Sequence, residues 1–324
     1  MNTGLLDTLL GAFGDAQQWL FETLVQPAMF NLGMAGVLEE GYRASGWFLA
    51  GLLQIVVMLS LIGALQRWRP VEAVRDRAAV RVDILYTLIH RLGLFRVALF
   101  FTLDPLWDGF VAELRLLGLP TFSIDGVWPG VSDVALVSFA IYLVLFDAAD
   151  YLLHRAQHRF NWWWQLHALH HSQRQMTMWS DDRNHLLDDV LRDSVFVLLA
   201  LVVGVPPAQF IAIVAVTQLL QSLAHANVRL SFGVFDRVLV SPRYHRLHHG
   251  IGVGHESAGP GTLGGHNFAV LFPLWDLLFR TARFDAAITP TGIRDQLPAE
   301  GARDYGRGFW SQQWLGLRRL AGRG

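Results

Sequence analysis

The chain has 324 residues, of which 52% are hydrophobic and only 16% are charged. That balance is too apolar for most soluble folds and predicts a membrane protein. The sequence contains no cysteine, which excludes disulfides, thiolate zinc sites and iron–sulfur clusters, so a metal ion would have to be bound by nitrogen and oxygen. The formal net charge of -1 provides no basic surface for a phosphate backbone, and we therefore expect no nucleic-acid partner.

The first part of the chain predicts one surface region and one membrane span. Residues 1–45 carry acidic side chains among apolar residues at mixed helical spacing, which predicts an amphipathic region at the membrane interface. Residues 46–65 contain no charged side chain and approach the length of about 20 residues that a spanning helix requires. Arginines then cluster in residues 67–81, which assigns residues 46–83 to a first span and its basic loop. Basic residues beside a span indicate the cytoplasmic side, which places the N-terminus outside.

Three further apolar stretches complete a predicted all-α, multi-pass membrane bundle. Residues 134–146 predict a span that continues as a helix beyond the apolar run, and residues 195–224 predict a helical hairpin around a Gly-Val-Pro-Pro breaker. Residues 84–103 predict another span, whose basic side chains either pack inside the bundle or lie in the interface. These basic residues are His90, Arg91 and Arg96. Counting crossings from an outside N-terminus predicts a histidine-rich helical cap on the cytoplasmic face.

Eight of the 13 histidines fall into three short motifs. HRAQH places two histidines four residues apart, and HALHH and RYHRLHH each place three at the spacing i, i+3, i+4. Such spacings put the rings of one motif on one face of a helix. The eight residues are His154, His158, His167, His170, His171, His245, His248 and His249.

Rings grouped in this way suit metal binding better than a solvated surface or an apolar core, because each polar ring needs a partner. A single HxxxH motif is more simply explained as a solvated or hydrogen-bonded helix face. The three motifs together, on one predicted side of the membrane, favour a common site. Eight imidazoles exceed the coordination number of one ion, so two metal ions follow if all eight bind.

The order and spacing of HRAQH, HALHHS, RYHRLHHG and HNFAVLFPLWDLLFRT resemble the fatty acid hydroxylase or sterol desaturase superfamily of membrane non-haem enzymes. The resemblance covers roughly residues 84–284. It implies a catalytic domain in which two iron ions, with zinc as the alternative, use O2 to attack a C–H bond of a lipid. Two further histidines match elements of that family, and each could instead be a hydrogen-bonded structural residue. They are His185, which precedes Leu186 where the family usually has Pro, and His225 in LAHANVRL.

Metal-binding imidazoles usually donate their second N–H to a carboxylate or a carbonyl. Asp150 and Asp188 each lie within one turn of a candidate ligand and are predicted partners, with salt bridges to arginine as the alternative. The resemblance implies that Asn227 returns to the site, and His266 is a weaker candidate beside it. A run of tryptophans between two motifs predicts an aromatic belt at the depth of the lipid headgroups. It comprises Trp162, Trp163 and Trp164.

The predicted function is that of a membrane-bound, O2-dependent lipid monooxygenase, acting as a hydroxylase, a desaturase or an ether-lipid-cleaving enzyme. The sequence shows no dinucleotide fingerprint and no fused redox motif, so electrons would come from a separate donor protein. In a bacterium the location would be the inner membrane. The alternatives are a non-enzymatic membrane protein that binds or transports metal, and a hydrolytic zinc enzyme. Residues 285–324 are assigned to a C-terminal tail.

Overall fold

The computed structural model describes residues 4–120, 122–252, 264–285 and 288–323, and within these ranges it contains helices and no strand. The predicted all-α class is confirmed. Most of the Gly-rich segment at residues 250–265 lies outside the described residues. The α-helices are, in chain order, α1 Leu5–Leu20, α2 Gln26–Asn31, α3 Leu38–Val57, α4 Gly63–Trp68, α5 Arg77–Arg91, α6 Leu94–Thr102, α7 Asp104–Leu116, α8 Ala135–Arg159, α9 Asn161–His171, α10 Leu186–Val203, α11 Pro207–Ala224, α12 Pro242–His248, α13 Leu274–Leu278 and α14 Phe309–Leu320.

The first membrane span begins earlier than the sequence suggested. Residues Ala35–Trp68 form a continuous helical stretch, including α3 and α4, that is long and apolar enough to cross a membrane. Glu39 and Glu40 lie in the first turn of α3, where the positive end of the helix dipole favours acidic side chains. The helix therefore starts ahead of the charge-free run at residue 46, and the predicted boundary at residue 45 falls inside α3.

Helix α3 packs into the bundle through small residues. Gly46, Ala50 and Gly51 are buried on one face, whereas Leu53 and Val56 on the other face are more than half exposed. A Cβ atom at Gly51 would lie 1.6 Å from the carbonyl oxygen of Arg91, so α3 and α5 meet backbone to backbone at this point. Small residues allow such close approach between membrane helices, while the exposed apolar face is suited to lipid.

The predicted span over residues 84–103 is broken into two helices. Helices α5 and α6 meet at an angle of 51°. The break lies at Gly93, whose φ of +77° is the left-handed conformation that glycine adopts without strain. Of the two predicted settings for the basic side chains, the bundle interior applies to Arg91, which is buried and binds Asp181 at 2.6 Å and Asp182 at 3.0 Å.

Helices α8, α10 and α11 form the layer that leads to the histidines. Helices α8 and α11 are each long and apolar enough to cross a membrane. Helix α10 ends at Gly204, with a φ of +67°, which confirms the predicted break before α11. Tyr142 and Phe146 of α8 pack with Ile213 of α11 and the partly buried Phe196 of α10. The number of crossings and the side of the membrane stay predictions.

Short helices enclose the histidine-bearing end of this layer. Helix α9 follows α8 directly and packs against it, and α12 packs against α11. The segment assigned to a C-terminal tail contains α14, which packs along α9, where Arg319 Nε donates a hydrogen bond of 3.2 Å to the carbonyl of Gln165. The last part of the described chain is therefore part of the cap.

Candidate metal centre

The three predicted motifs converge at one place in the fold. The first pair lies on the last two turns of α8, the first triple ends α9, and the second triple ends α12. His225, directly after α11, joins them. All nine rings are buried, and none is more than 7% exposed. They are His154, His158, His167, His170, His171, His225, His245, His248 and His249.

These nine residues form two groups of four, with a ninth ring beside them. Within a group, one nitrogen of each ring lies within 4.8 Å of one nitrogen of every other ring. The first group is His154, His158, His167 and His171, and the second is His170, His225, His245 and His249. His248 combines with His171 and His249, one member of each group, so it lies between them.

Hydrogen bonds fix the tautomer of four of these rings. The Nδ1–H of His154 donates to the carbonyl of Phe268 at 2.8 Å, and that of His225 donates to the carbonyl of Gln221 at 2.9 Å. His167 donates in the same way to Asp188, and His248 to the carbonyl of His266 at 2.6 Å. A neutral ring that donates through Nδ1 keeps a lone pair on Nε2, and that lone pair is what a metal ion binds.

The distances in the second group match those of ligands around a metal ion. The Nε2 atom of His225 lies 3.1 Å from that of His170 and 3.0 Å from that of His245, and the Nε2 atoms of His245 and His249 are 3.1 Å apart. Metal–nitrogen bonds of about 2.0–2.1 Å would separate neighbouring ligand atoms by roughly 2.9 Å in an octahedron or 3.3 Å in a tetrahedron. The three contacts among Nε2 atoms are not explained by hydrogen bonds, because the unprotonated His225 atom has a single lone pair and cannot accept well from both His170 and His245.

Unpartnered ring nitrogens add a second reason to expect metal. Among the described residues, His154 and His167 each have a buried Nε2 atom without a hydrogen-bond partner. A buried polar atom without a partner is costly unless an ion or water satisfies it. The first group therefore also fits a metal ion.

The environment keeps these rings in the neutral form that binds metal. Burial lowers the pKa of His225 to about 4, and burial together with neighbouring imidazoles holds the pKa of His170 and His245 well below the ordinary value. These three rings are therefore unprotonated at neutral pH, which removes the competition between a proton and a metal ion.

Asp188 is the carboxylate that orients the first group. Its Oδ2 atom accepts the Nδ1–H of His167 at 3.1 Å, while its Oδ1 atom accepts from Gln157 Nε2 at 2.8 Å and from Trp163 Nε1 at 2.6 Å. All three partners donate, so the carboxylate is held from three sides. Asp188 therefore lies against His167 of α9, whereas the nearest candidate ligand in the sequence is His185.

The assignment of His185 as a ligand is corrected by its hydrogen bonds. Its Nδ1 atom accepts from the backbone N–H of Leu187 as the N-cap of α10, and its Nε2–H donates to the carbonyl of Gln313 at 2.9 Å. Both ring nitrogens are engaged, so neither has a lone pair left for metal. The ring also packs against Gly316 of α14.

Three residues predicted to surround the ligands have other partners. Asp150 forms a two-pronged salt bridge with Arg192, at 2.9 and 2.5 Å, so the alternative of an arginine partner applies. The Asn227 side chain binds backbone groups of Val71 and Glu72 and joins the end of the first span to α11. His266 contributes its backbone carbonyl to His248, and its own ring is not among the grouped rings.

The tryptophan run is divided between surface and site, which corrects the predicted belt. Trp162 is 50% exposed, whereas Trp163 and Trp164 are buried. Trp163 binds Asp188, and the Trp164 ring lies 5.1 Å from that of His158 and 5.3 Å from that of His171. The two buried rings wall the metal centre. Their alternation follows from the helical geometry of α9, which turns successive side chains in different directions.

Residues that sequence reasoning missed also hold the ligands. The carbonyl of Phe268 belongs to HNFAVLFPLWDLLFRT, where only His266 was a candidate. Asp181, whose side chain lies 3.6 Å from His225 Nδ1, comes from a segment with no quoted motif. Gln157 lies inside HRAQH, and its position one residue before a ligand was the only available signal.

Comparisons with known proteins agree with this geometry. Residues 139–281 match the model of the family described as fatty acid hydroxylase. The segment that carries the grouped histidines is thus similar to the fatty acid hydroxylase family. The matched range contains all nine grouped histidines, and the resemblance stated from the motifs is confirmed.

Two kinds of curated relatives are similar to this chain. The ornithine lipid hydroxylase OlsE of Rhizobium tropici is 28% identical over 80% of this chain and 74% of its own length. The alkylglycerol monooxygenase of Caenorhabditis elegans is 24% identical over 74% of this chain, and that of Homo sapiens is 28% identical over 45%. The chain spans 41% and 28% of these two monooxygenases. No solved structure matches.

Proposed function

We propose that this protein is a membrane lipid monooxygenase whose two histidine groups hold two metal ions. The observation that carries the proposal is the convergence of nine buried imidazoles, eight of them in two adjoining groups of four and His248 between the groups. Lipid hydroxylation and alkylglycerol oxygenation in the relatives support the same class of reaction. We propose iron for both ions, with zinc as the alternative, and O2 as the co-substrate.

The residues of this chain prepare the site in three ways. Asp188 and the carbonyls of Phe268 and His266 fix ring orientation, so that little reorganisation is needed when the site is loaded. Trp163 and Trp164 exclude water from one side. A pair of iron ions bound there would supply the oxidising power for O2-dependent attack on a lipid C–H bond.

The supply of electrons and the orientation in the membrane complete the proposal. We propose a separate electron-donor protein, because the sequence shows no dinucleotide fingerprint and no fused redox motif. The basic cluster at residues 67–81 supports a cytoplasmic position for the histidine groups. A cytoplasmic donor would then reach the cap without crossing the bilayer.

The proposal is tested with full-length protein in lipid nanodiscs, an external reductant and 18O2. We expect about two bound ions per chain and one 18O atom in a lipid product, with neither product nor oxygen uptake for His248→Ala. Gln18→Leu, on the exposed face of α1, is prepared in the same way as a control and should behave like the wild type. Metal flux into vesicles without any oxidised lipid would instead favour transport, and O2-independent lipid cleavage would favour a zinc hydrolase.

A further inference from the structure

A cavity leads from the apolar layer to the histidines. It has a volume of about 130 Å³ and lies between α3, the α5–α6 bend, α8, α10 and α11. A smaller cavity of about 40 Å³ touches rings of both histidine groups, including His154 and His245. Six residues line both cavities, so the two adjoin. They are Asp150, Asp181, Asn184, Asp189, Arg192 and Gln221.

The lining changes from apolar to polar along α11 as it approaches the histidines. Phe210 and Ile213 line the far end, Thr217 and Gln218 follow one turn later, and Gln221 lies one turn before His225. Phe210 is about 22 Å from His225 along the axis, at 1.5 Å per residue. The gradient therefore extends over most of the thickness of one membrane leaflet.

The same gradient recurs on α10, which runs in the opposite sense from α11. There Arg192 and Asp193 precede Phe196 along the chain, so the charged side chains lie nearer the histidines. On α8, both Phe146 and Asp147 line the cavity ahead of Asp150. Helices α10 and α11 thus place apolar side chains at one end of the cavity and polar ones at the histidines.

A third cavity adjoins the apolar end. It has a volume of about 320 Å³, lies between the N-terminal helices and the pair α6 and α7, and shares Trp47, Gly93 and Arg96 with the cavity of about 130 Å³. Its lining combines apolar side chains with two ion pairs, Arg43–Glu40 and Arg96–Asp104, and with Asp108. Hydrocarbon chains fit the apolar part of this lining, because contact of an apolar chain with charged groups would be unfavourable.

The charge of the polar end selects among headgroups. The wall shared by the two inner cavities carries three carboxylates and one guanidinium, a formal charge of 1 - 3 = -2. Arg91 and a protonated His90 pair with Asp181 and Asp189 and balance this charge of -2, but Asp147, Asp182 and Asp193 against Arg96 leave the cavity of about 130 Å³ with 1 - 3 = -2. Asp193 also lines the main cavity and makes no ion pair within the described residues. A phosphate would meet net repulsion, whereas ammonium or hydroxyl groups would find acceptors.

We infer that the substrate lipid presents its polar headgroup to the histidines, that this headgroup carries ammonium or hydroxyl donors and no phosphate, and that the oxidised carbon lies in or next to it. The inference rests on the proposed function and adds the substrate class and the region of attack. The hydrocarbon tails point away, into the apolar cavities.

The first test measures binding and requires no turnover. Metal-free, full-length protein is titrated with three dioleoyl lipids that differ only in their headgroup: a primary-ammonium ester, the free hydroxyl of dioleoylglycerol, and the phosphate of phosphatidic acid. We expect the first two to bind at least about tenfold more tightly than the third. Gln221→Leu should weaken the ammonium lipid about fivefold through one lost hydrogen bond, whereas Gln18→Leu should not. Tightest binding of phosphatidic acid would overturn the inference.

The second test locates the oxygen. Lipid product formed under 18O2 is fragmented in the mass spectrometer, and we expect the label in the headgroup fragment or on the carbon attached to it. Label in a distal tail carbon would overturn the inference and leave the proposed function intact. Absence of label from every lipid, with both ions and reductant present, would refute the proposed function. The headgroup preference in the binding test would then still decide whether the lipid presents its headgroup to the histidines.

Discussion

Replacement of Asp188 by Asn should loosen one of the two ions selectively. The carboxylate accepts from His167, Gln157 and Trp163 at 3.1, 2.8 and 2.6 Å, and all three partners donate. An amide of the same shape has only one acceptor oxygen, so its NH2 group must face a donor. If it faces His167, the ring loses the bond that keeps its proton on Nδ1 and its lone pair on Nε2.

The magnitude follows from the bond that is lost. A hydrogen bond to a charged group contributes about 1.5–3 kcal/mol, and removal of the partner of a metal-binding histidine lowers metal affinity roughly 10- to 100-fold. The second group, which contains His170 and His225, does not contact Asp188 and should keep its affinity. We therefore expect two-step loading in Asp188→Asn, with only one step shifted.

The assay uses Zn²⁺ as a probe ion that has no redox chemistry. Detergent-solubilised, full-length protein is equilibrated with chelator buffers, and bound zinc per chain is measured by mass spectrometry. Asp236→Asn is the matched control, because Asp236 is also buried and accepts from the Phe232 N–H at 2.7 Å, away from the histidine groups. Identical loading curves for Asp188→Asn and wild type would refute the reasoning, as would an equal shift of both steps.

Three further predictions concern the scaffold. His170→Ala should lose the ion of the second group, whereas His185→Gln should bind both ions, as measured by the amount of zinc bound per chain. Loss of an ion from His185→Gln would show that His185 is a ligand after all. Gly51→Ala should lower the thermal unfolding midpoint, because the new Cβ meets the Arg91 carbonyl at a cost of about 1–3 kcal/mol or more. Gly109→Ala is the control, since its Cβ meets open space, and it should raise the midpoint slightly. Similar midpoints for the two variants would contradict the close contact at Gly51. Burial lowers the pKa of His185 in the folded protein below its ordinary 6.5. The unfolded chain therefore binds a proton on His185 more readily than the folded one, and the free energy of unfolding should fall as pH drops below about 6.5. His185→Gln should reduce this dependence of stability on pH, and an unchanged slope would contradict the lowered pKa of His185.

The sequence predicted those features whose cause is local. The spacing of the HxxHH motifs places rings on one helix face, and the grouping of all eight motif histidines followed. The break at Gly204 was also readable, because glycine and proline interrupt helices wherever they occur. The end of α8 was found because a helix that carries one ligand motif extends directly from an apolar run.

Features with a distant cause were not readable. His185 matched a family element, but its ring is fixed by Gln313, 128 positions later, which no local pattern reveals. Asp150 had the right spacing for a ligand partner, yet Arg192 of another helix takes both of its oxygens. The bend at Gly93 was missed because the apolar run continues across it. The topological side of the membrane still rests on the arginine cluster alone.

His170 and His171 are consecutive residues that serve different groups. A shift or rotation of the end of α9 therefore moves a ligand of each group at once, and an ion captured by one group restrains the helix for the other. A chain with one ion bound should accordingly have an ordered end of α9 already, so that proteases cut this helix less readily in half-loaded chains than in metal-free ones.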